Sequence, residues 1–335
     1  MIKVGIIGLG HMGGYHASAC RLIQNISLIA ISDPNKENWG KIKSSKILKT
    51  KNYNEWIDNV DAVIIAVPTD FHYPIAKDCL QKGKHVFVEK PLTKDINQAQ
   101  KLFELAENNK LALHIGHVER FNGAVQELKK IIHKPYLIES HRLGPFIPRV
   151  QKDTVVLDLM IHDIDIILNL VDSEIKTVNI TGSKIKTDLT DIAVVQIQFE
   201  NGVLANIVSS RASQIKQRTM CIHQANSFVK LDFTTQDISI HRHTSDSVKI
   251  SSNQLKYKQE STIERLFVYK DNPLKLEIEN FVKSIKTNKK LTLRKKDLTA
   301  LDLTLKLEDF LEKKPDDCNN SWNRKLTAKS MLQTS

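Results

Sequence analysis

The sequence predicts an α/β protein with an N-terminal Rossmann domain, built on a parallel sheet, and a C-terminal α+β domain with a large, open, mostly antiparallel sheet. Strand and helix patterns alternate over the first 120 residues, a glycine-rich turn follows the first strand, and strand follows strand from about 176 to 250. The 335 residues also fit about two domains. We therefore predict domains over 1–120 and 121–314, followed by a polar tail over 315–335.

The first 120 residues alternate between short apolar runs and helical patterns. The predicted strands are Ile2–Gly8, Ile26–Ser32, Val60–Val67, His85–Glu89 and Leu111–Val118, and the predicted helices are His11–Gln24, Phe71–Gln81 and Ile96–Asn108. Strands that are separated by helices pair in parallel through right-handed crossovers. This half of the chain therefore predicts a parallel sheet.

The pattern changes near residue 120. The predicted elements are the helix Asn122–His133, the strand Tyr136–Leu143, the apolar helix Val155–Val171, several strands over 176–250, and the helices Leu274–Ile285 and Leu298–Leu311. Asn201-Gly202 joins two alternating apolar runs, which is a strong hairpin signal. These features predict a largely antiparallel sheet.

Composition narrows the possible functions. No apolar run approaches the ~20 residues that span a bilayer, and the N-terminus lacks the features of a signal peptide, so we expect a cytoplasmic protein with no membrane partner. Four widely spaced cysteines without a C-x-x-C pair argue against a disulfide framework or a structural zinc site. The net charge is +11, but the lysines are scattered, so we expect attraction of a small anionic substrate and no nucleic-acid partner.

A glycine-rich loop carries the first chemical signal. Gly8-Leu9-Gly10-His11-Met12-Gly13 matches G-x-G-x-x-G between a predicted strand and a predicted helix, the context in which this pattern binds a pyrophosphate. Gly8 permits the tight turn, Gly10 lets the backbone approach the pyrophosphate, and Gly13 lets helix and strand pack closely. The alternative is a strand–turn–helix corner without a ligand. We predict a dinucleotide cofactor that contacts all six residues of the loop.

Asp33 bears on the choice of dinucleotide. It closes the second predicted strand, 20 residues after Gly13, where an acid accepts hydrogen bonds from the adenosine ribose and repels a 2′-phosphate. No arginine follows it, so the sequence favours NAD, while nearby Lys36 keeps NADP as an alternative.

Glu89-Lys90-Pro91 follows the fourth predicted strand. Ligands of open α/β sheets bind beyond the carboxyl ends of the strands, so we expect Lys90 to point toward the nicotinamide region. A surface ion pair of Glu89 is the plain alternative.

Together, these motifs resemble those of the glucose–fructose oxidoreductase/inositol dehydrogenase/MocA (GFO/IDH/MocA) family. The matching pieces, within residues 1 to about 310, are GLGHMG at 8–13, AVPTDFH at 66–72, EKP at 89–91 and D-x-x-x-H at 158–162. The resemblance implies a second domain that binds the substrate and oligomerises through its sheet, and a redox reaction at a sugar-like hydroxyl. It also implies that further residues contact the cofactor, namely Val67, Pro68, Thr69, His72, Glu89 and Lys90.

Asp158 and His162 are candidate catalytic residues. They lie four residues apart on an apolar predicted helix and so share one face, although a satisfied core histidine is the plain alternative. The resemblance implies that this pair lies beside Lys90 in the substrate pocket. Histidine suits a base near neutral pH, while Lys90 can stabilise alkoxide charge or relay the proton. Asp158 can orient the substrate or hold His162.

A metal site is another interpretation of this helix, since Asp163 and Asp165 follow His162. Residues at i, i+1 and i+3 diverge on a helix, however, and no further cluster completes a coordination shell. We therefore predict no metal.

Two segments bear on the substrate: GHVERFN at 116–122 and RLGPF-x-PR at 142–149. They resemble the branch of the family that oxidises the 3-hydroxyl of UDP-N-acetylglucosamine, which implies a 3-keto nucleotide sugar, a partner aminotransferase and a role in lipid A-type precursor synthesis. The predicted substrate contacts are Lys90, Arg120, Asn122, Arg149, Asp158 and His162.

Guanidinium groups suit a diphosphate, which also points to Arg211 and Arg218, although each arginine has an ion pair as its plain alternative. Inositol, a free sugar or a UDP-glucuronic acid derivative remain alternative substrates. A non-catalytic NAD-sensing regulator is the alternative from another class, and the joint presence of Lys90, Asp158 and His162 argues against it.

The strands over 176–250 also predict a homodimer or homotetramer. Alternating apolar residues such as Val195, Ile197 and Phe199 would otherwise be exposed on the outer face of the sheet.

Overall fold

The computed structural model describes residues 1–148, 153–251, 254–287, 294–312 and 326–327. The chain divides into two compact units, of which one comprises Met1–Phe121 and Asp271–Leu305, and the other comprises Asn122–Lys270 and the chain from Lys306 onward. Within the described ranges, no helix combines the length and apolar character needed to cross a membrane.

The elements alternate early and then become strand-rich, as the sequence predicts. The strands are β1 Ile2–Ile7, β2 Ile26–Ser32, β3 Leu48–Thr50, β4 Ala62–Ile65, β5 His85–Glu89, β6 Leu113–Gly116, β7 Leu137–Leu143, β8 Ile175–Ser183, β9 Ile192–Phe199, β10 Leu204–Ser210, β11 Gln217–Gln224, β12 Ser227–Asp232, β13 Asp237–Ser251, β14 Gln254–Arg265 and β15 Leu326–Thr327. The α-helices are α1 His11–Cys20, α2 His72–Gln81, α3 Ile96–Asn108, α4 Gly123–Ile131, α5 Ile161–Leu170, α6 Pro273–Thr287 and α7 Arg294–Glu312.

The first unit is built on a six-stranded sheet with the order β3-β2-β1-β4-β5-β6. All its described pairings are parallel, so the strands end at one common edge. Every residue of β4 is buried, because helices cover both faces of the sheet. A ligand can therefore reach only the strand ends and the turns that follow them. These turns contain the glycine loop, Asp33 and Lys90.

Three features of the first unit depart from the element predictions. The short strand β3 was not predicted, since three residues carry too little pattern to identify a strand. Helix α1 ends at Cys20 rather than at Gln24. Helix α6 belongs to this unit, where Ile278 and Phe281 join its core, although its sequence follows the strands of the second unit.

The second unit is built on a nine-stranded sheet with the order β14-β13-β12-β11-β7-β10-β9-β8-β15. The pairing between β7 and β10 is parallel and the others are antiparallel. The predicted hairpin at Asn201-Gly202 connects β9 to β10, and Gly202 has a φ of +89°, which glycine adopts without strain. The fold class predicted from the sequence is confirmed.

One expectation about this sheet is wrong. Val195, Ile197 and Phe199 are each 0% exposed, so they lie in the core of the unit and not on an outer face. Strand alternation predicts two different faces but does not say which one the chain itself covers. The exposed face of β9 instead carries Val194 and Gln196.

The predicted helix Val155–Val171 has an irregular first turn. Residues Val156–Met160 form a π-helical turn, and α5 continues from Ile161. Thr154 precedes the turn, and its carbonyl accepts the amide N–H of Asp158 at 3.0 Å. Single π-turns inside helices are frequent at functional sites, which draws attention to this segment.

Candidate active site

The glycine loop meets the steric needs of a pyrophosphate cradle. Gly8 has a φ of +90°, and a Cβ on it would lie 2.6 Å from the carbonyl oxygen of Ala66. A Cβ on Gly13 would lie 2.0 Å from the carbonyl oxygen of Gly8. No atom lies within 4 Å of a Cβ built on Gly10, so the space over this backbone is open to a ligand. The residues present therefore fit a dinucleotide at the N-terminus of α1.

The other three loop residues differ in their surroundings. Leu9 is 0% exposed, and its side chain belongs to the core of the first unit. His11 is exposed, and its ring contacts that of Tyr15 edge-on at 4.5 Å between centroids. Met12 is half-buried. Leu9 therefore offers a ligand its backbone only, whereas the side chains of His11 and Met12 lie partly open in the first turn of α1.

Asp33 braces the glycine loop. Its Oδ2 accepts the amide N–H of Leu9 at 2.7 Å, and its Oδ1 accepts the amide N–H of Asn35 at 2.8 Å and the side-chain amide of Asn38 at 3.2 Å. A carboxylate has about four acceptor positions, so one remains for a ribose hydroxyl. Lys41 secures the loop from another side, since its ammonium donates to the carbonyls of Leu9 at 2.7 Å and Gly10 at 3.1 Å.

The segment after β4 is fixed to the turn that follows β5. His72 is 1% exposed, with Nε2 2.9 Å from the carbonyl oxygen of Val67 and Nδ1 2.8 Å from that of Pro91. Burial lowers the pKa of His72, and the carbonyl contacts oppose this shift. In the short turn between Val67 and His72, Pro68 is exposed and Thr69 is half-buried. The side chain of His72 is thus taken up by backbone groups.

Glu89 and Lys90 differ in exposure. Glu89 is buried, and its Oε1 lies 2.6 Å from Nε2 of His16 on α1. Its Oε2 accepts the amide N–H of Lys90 at 3.3 Å, while the Lys90 side chain is half-buried. Burial opposes ionisation of Glu89, yet the His16 bond and charge together with Lys90 lower the pKa of this carboxyl. The surface ion pair considered for Glu89 is therefore not what the structure shows.

A second buried pair lies in the same unit. His114 Nε2 is 3.2 Å from Oε1 of Glu277, and Phe87 lies between the rings of His16 and His114, with centroid distances of 5.0 and 4.9 Å. Burial lowers the pKa of His114 to about 4. Burial, together with the charge of Glu89, raises the pKa of Glu277 well above its usual value.

Asp158 and His162 are both half-buried in the second unit. Asp158 lies in the π-helical turn and His162 in the first turn of α5, so the helix between them is wider than the α-helix assumed from the spacing. Asp163 is 0% exposed and binds Arg142 of β7 through two parallel hydrogen bonds of 2.8 and 3.0 Å. The carboxylate considered as a metal ligand is thus occupied by a guanidinium, which also lies 4.8 Å from the centre of the Phe233 ring.

The residues predicted to contact the substrate differ in the hydrogen bonds that they form within the protein. Arg120 donates to Asp297 at 2.5 Å, and both side chains are nearly buried. Asn122 is 2% exposed, caps α4 by accepting the amide N–H of Ala124, and donates to the carbonyl of Phe233. Substrate roles for Arg120 and Asn122 stay predictions. Arg149 lies outside the described residues.

The two additional arginines also differ. Arg211 is 5% exposed and donates to Asp191 at 2.7 Å, while Asp191 accepts the amide N–H groups of residues 185–187. The ion pair considered for Arg211 is therefore present. Arg218 is half-buried on β11, opposite Arg142 in the β7–β11 register.

Sequence reasoning did not identify His16 and Arg142. We call these two buried residues anchors, because each binds a buried carboxylate, that of Glu89 or Asp163. His16 is the third residue after Gly13, on the helix that the loop opens, and a histidine on the same helical face as Gly13 and Ala19 was the available signal. Arg142 alternates with Ser140 as a polar residue on the buried face of β7, which signals a buried partner.

Two family models match the chain. The one described as an oxidoreductase family with an NAD-binding Rossmann fold matches residues 2–117. The one described as the GFO/IDH/MocA C-terminal domain matches residues 123–226. Both halves of the sequence thus have matches within one family.

Individual relatives agree. The UDP-N-acetylglucosamine 3-dehydrogenase of Acidithiobacillus ferrooxidans is 32% identical over 249 residues, which are 74% of this chain and 79% of that protein. The myo-inositol 2-dehydrogenase of Thermotoga maritima is 29% identical over 229 residues, 63% of this chain and 69% of that protein. A solved structure of the Acidithiobacillus enzyme matches with a TM-score of 0.83 and 29% identity, covering 93% of this chain and 97% of that chain.

A third relative shows the likeness of fold alone. The scyllo-inositol dehydrogenase of Lactobacillus casei, solved with NAD(H) and scyllo-inositol, matches with a TM-score of 0.75 and 21% identity, over 93% of this chain and 97% of that chain. The two matched domains, the glycine loop and the strand end at Lys90 lead to one conclusion. This chain belongs to the GFO/IDH/MocA family of NAD-binding oxidoreductases.

Proposed function

We propose that this chain is an NAD-dependent dehydrogenase that oxidises the 3-hydroxyl of UDP-N-acetylglucosamine to a ketone. The observation that carries the proposal is its 32% identity, over 79% of the relative's length, to an enzyme named for this reaction. The net charge of +11 is consistent with an anionic nucleotide sugar as substrate.

The proposed chemistry rests on three side chains. Lys90 follows β5 at the cofactor edge of the first unit, and its ammonium would stabilise negative charge that develops on the reacting oxygen. His162 would accept the hydroxyl proton, directly or through Lys90, and Asp158 would orient the sugar or the imidazole. Bound NAD supplies the acceptor for the hydride.

The proposed cofactor is NAD rather than NADP. Asp33 presents a buried carboxylate at the end of β2, and this negative charge disfavours a 2′-phosphate. The proposed contacts with NAD are Gly8, Leu9, Gly10, His11, Met12, Gly13, Asp33, Val67, Pro68, Thr69, His72, Glu89 and Lys90. For His72 and Glu89, the geometry favours a supporting role in which each holds the backbone that meets the cofactor.

The product would be a 3-keto nucleotide sugar. A ketone at this position is the substrate that an aminotransferase needs to install an amine, so we keep an aminotransferase as the proposed partner and lipid A-type precursors as the proposed destination. The cytoplasmic location expected from the sequence belongs to the same proposal.

A homo-oligomer also stays part of the proposal, although not through the residues first considered. The exposed face of the second sheet carries Val194 and Leu204, which are 42% and 38% exposed. Light scattering on the wild type and on Val194→Glu tests assembly through this face. A monomeric wild type at micromolar concentration would contradict it.

A second candidate function is oxidation of an inositol. It is favoured by the 29% identity to the myo-inositol 2-dehydrogenase of Thermotoga maritima. Free sugars and UDP-glucuronic acid derivatives are further substrates within the same reaction class. A non-catalytic NAD-sensing regulator would bind NAD and turn over none of them.

The test is a substrate screen with purified protein and NAD, in which NADH formation is followed by absorbance. UDP-N-acetylglucosamine, UDP-glucuronic acid, glucose and myo-inositol are compared by kcat/KM, with a ketone-trapping reagent to draw the reaction forward. We expect UDP-N-acetylglucosamine to give the highest value. A higher value for myo-inositol would favour the second candidate, and NAD binding without any turnover would favour the regulator.

A further inference from the structure

Two buried histidines hold the chain on either side of Lys90. His16 of α1 binds the carboxylate of Glu89, and His72 at the start of α2 contacts the carbonyl oxygen of Pro91. All five residues belong to the first unit. A residue that carries chemistry is thus flanked by two contacts that come from two different helices.

The contact on the N-terminal side is built closely. His16 is 0% exposed and lies 2.6 Å from Glu89, whose other oxygen accepts the amide N–H of Lys90. A Cβ on Gly116, the partner of Glu89 in β6, would lie 3.1 Å from that same oxygen, so a side chain at this position would crowd the carboxylate. The ring of Phe87 packs edge-on against His16. These contacts leave the Glu89 carboxylate little freedom to move.

The contact on the C-terminal side spans two turns. His72 Nδ1 lies 2.8 Å from the Pro91 carbonyl oxygen, and Nε2 lies 2.9 Å from that of Val67. The ring thereby ties the turn after β5 to the turn after β4. A neutral imidazole donates to one of these carbonyls at a time, whereas an imidazolium donates to both.

The two helices involved begin at the loops assigned to the cofactor. Helix α1 starts at His11 within the glycine loop, and α2 starts directly after the 66–71 segment. Apolar side chains would fill two buried positions at lower desolvation cost than imidazoles do. Polar side chains at both positions are explained if each must hold a particular backbone or carboxylate group in place.

We propose that His16 and His72 are positioning residues that fix the backbone on both sides of Lys90 and so place its ammonium relative to the cofactor loops. This inference rests on the proposed function, in which Lys90 acts on the substrate hydroxyl. Neither histidine needs to touch the substrate or the cofactor for this role.

Asparagine and glutamine distinguish positioning from simple core packing. The amide nitrogen of asparagine takes the place of Nδ1, and that of glutamine takes the place of Nε2. His16 uses Nε2 toward Glu89, so His16→Gln should keep the contact and His16→Asn should lose it. His72 uses Nδ1 toward Pro91, so His72→Asn should keep that contact and His72→Gln should lose it.

The first readout is steady-state kinetics on UDP-N-acetylglucosamine. We expect kcat to fall on the order of 10–100-fold in His16→Asn and His72→Gln, because misplacement of a reacting group by about 1 Å has this effect. His16→Gln should stay within about threefold of the wild type, His72→Asn should lose less kcat than His72→Gln, and KM for NAD should change by less than about threefold in the two His16 variants. The surface variant His133→Gln serves as a control, and circular dichroism establishes that each variant is folded.

The second readout needs no sugar substrate. Competitive acetylation of Lys90 with acetic anhydride across a pH series, followed by peptide mass spectrometry, reports the reactivity of its amine. We expect the pH profile of Lys90 to move in His16→Asn and His72→Gln, and to stay in place in the two opposite variants. A displaced ammonium meets a different electrostatic environment, whereas general loss of stability would not follow the crossed amide pattern.

Lys90→Ala, measured in parallel, separates the two proposals. If it abolishes turnover while all four amide variants keep wild-type kcat and wild-type Lys90 labelling, the positioning role is wrong and the proposed function stands. If Lys90→Ala turns over like the wild type, the proposed function of Lys90 fails, and the labelling profiles alone decide whether the histidines position it. If the asparagine and glutamine variants of one histidine lose kcat equally, and the pH profile of Lys90 labelling does not move in either, the positioning role of that histidine is also wrong.

Discussion

The end of strand β5 and the start of helix α5 each bring a predicted catalytic residue next to a buried carboxylate, but the two carboxylates are held differently. In the first unit, Glu89 has one hydrogen bond of 2.6 Å to the imidazole of His16. In the second unit, Asp163 has two parallel hydrogen bonds to the guanidinium of Arg142. The guanidinium presents several N–H donors in a fixed fork, whereas the imidazole presents a single ring nitrogen to its carboxylate.

The difference teaches that a buried carboxylate can be anchored rigidly through two parallel bonds or through a single bond that leaves its second oxygen for another donor. The forked arginine contact fixes both the position and the orientation of the helix start, and it places no demand on protonation. The histidine contact fixes one oxygen and leaves the other for the Lys90 amide. The carboxylate at the strand end therefore joins an imidazole to the backbone of Lys90, whereas the carboxylate at the helix start is held by one guanidinium through two bonds.

The largest effect should come from Lys90 and His162, the predicted catalytic residues that lie next to the two anchored carboxylates. Lys90→Ala and His162→Ala should each lower kcat by on the order of 10²–10⁴-fold, because each removes a group that, in the proposed function, would stabilise charge or move a proton in the transition state. NAD affinity, titrated by intrinsic fluorescence, should stay nearly unchanged in both variants. Near wild-type turnover on the best substrate in both variants would overturn the catalytic roles proposed for Lys90 and His162.

Breaking the rigid anchor should chiefly affect stability. Arg142→Met leaves the carboxylate of Asp163 buried without its cation, so the free energy of unfolding should fall by about 3–5 kcal/mol. The control is Arg218→Met, opposite Arg142 on β11 and half-buried, for which a change of less than about 1 kcal/mol is expected. Urea unfolding followed by circular dichroism measures both. Equal changes in the two variants would show that the ion pair has no special importance.

How far the sequence predicted these regions depends on the distance over which each signal acts. The glycine loop and the strand end at Lys90 were found because their chemistry depends on local spacing and on the end of a strand. The anchors were not found, because Glu89 lies 73 residues from His16 and Asp163 lies 21 residues from Arg142, so each pair exists only after folding. A chain of this length offers many such polar residues, and their pairing is a tertiary property.

The second sheet shows a different limit. Alternation in β9 identified two faces correctly, but it assigned Val195 and its neighbours to the outside, whereas they are fully buried. Which face of a sheet is covered depends on where later helices pack. The π-helical turn at Asp158 was likewise beyond the sequence pattern, since an extra residue in one turn leaves the apolar spacing of the surrounding helix almost unchanged.

A third kind of anchor sharpens the comparison, because Asp33 is held by amide groups without a cation. Asp33→Ala removes the acceptor for the Leu9 amide and the negative charge beside the ribose. NAD affinity should fall by roughly 10–100-fold, because the variant loses one or two hydrogen bonds to a charged group, each of which contributes on the order of 1 kcal/mol. NADP affinity should fall less or rise, since the repulsion of a 2′-phosphate is gone. Fluorescence titration with both cofactors measures the ratio, and a wild type that strongly prefers NADP would contradict the assignment.

The smallest effect concerns two glutamates of the first unit. Each has a histidine partner, but their pKa values are shifted in opposite directions. The pKa of Glu89 is lowered through His16, so its contribution to stability is present above the unfolded-state pKa and is lost as pH falls through the lower folded-state value. The pKa of Glu277 is raised, because it is fully buried and lies near the charge of Glu89. For Glu277 the sign is reversed: the unfolded chain ionises first, so stability falls as pH rises above the unfolded-state pKa.

Glu277→Gln should remove that fall, because a glutamine does not ionise in either state. The difference in unfolding free energy between the variant and the wild type should therefore grow in favour of the variant as pH rises from about 5 to 8, by at most about 1.4 kcal/mol per pH unit. Glu89→Gln is the matched comparison, and its difference should grow in favour of the wild type as pH rises through the lower folded-state pKa, then level off above the unfolded-state value. Urea unfolding over about pH 5 to 8 measures the Glu277 slope, and extension of the same series below the unfolded-state glutamate pKa of about 4.3 measures the Glu89 slope. Parallel curves for Glu277→Gln and the wild type would mean that Glu277 is ionised in the folded protein, and that the two buried glutamates are held alike.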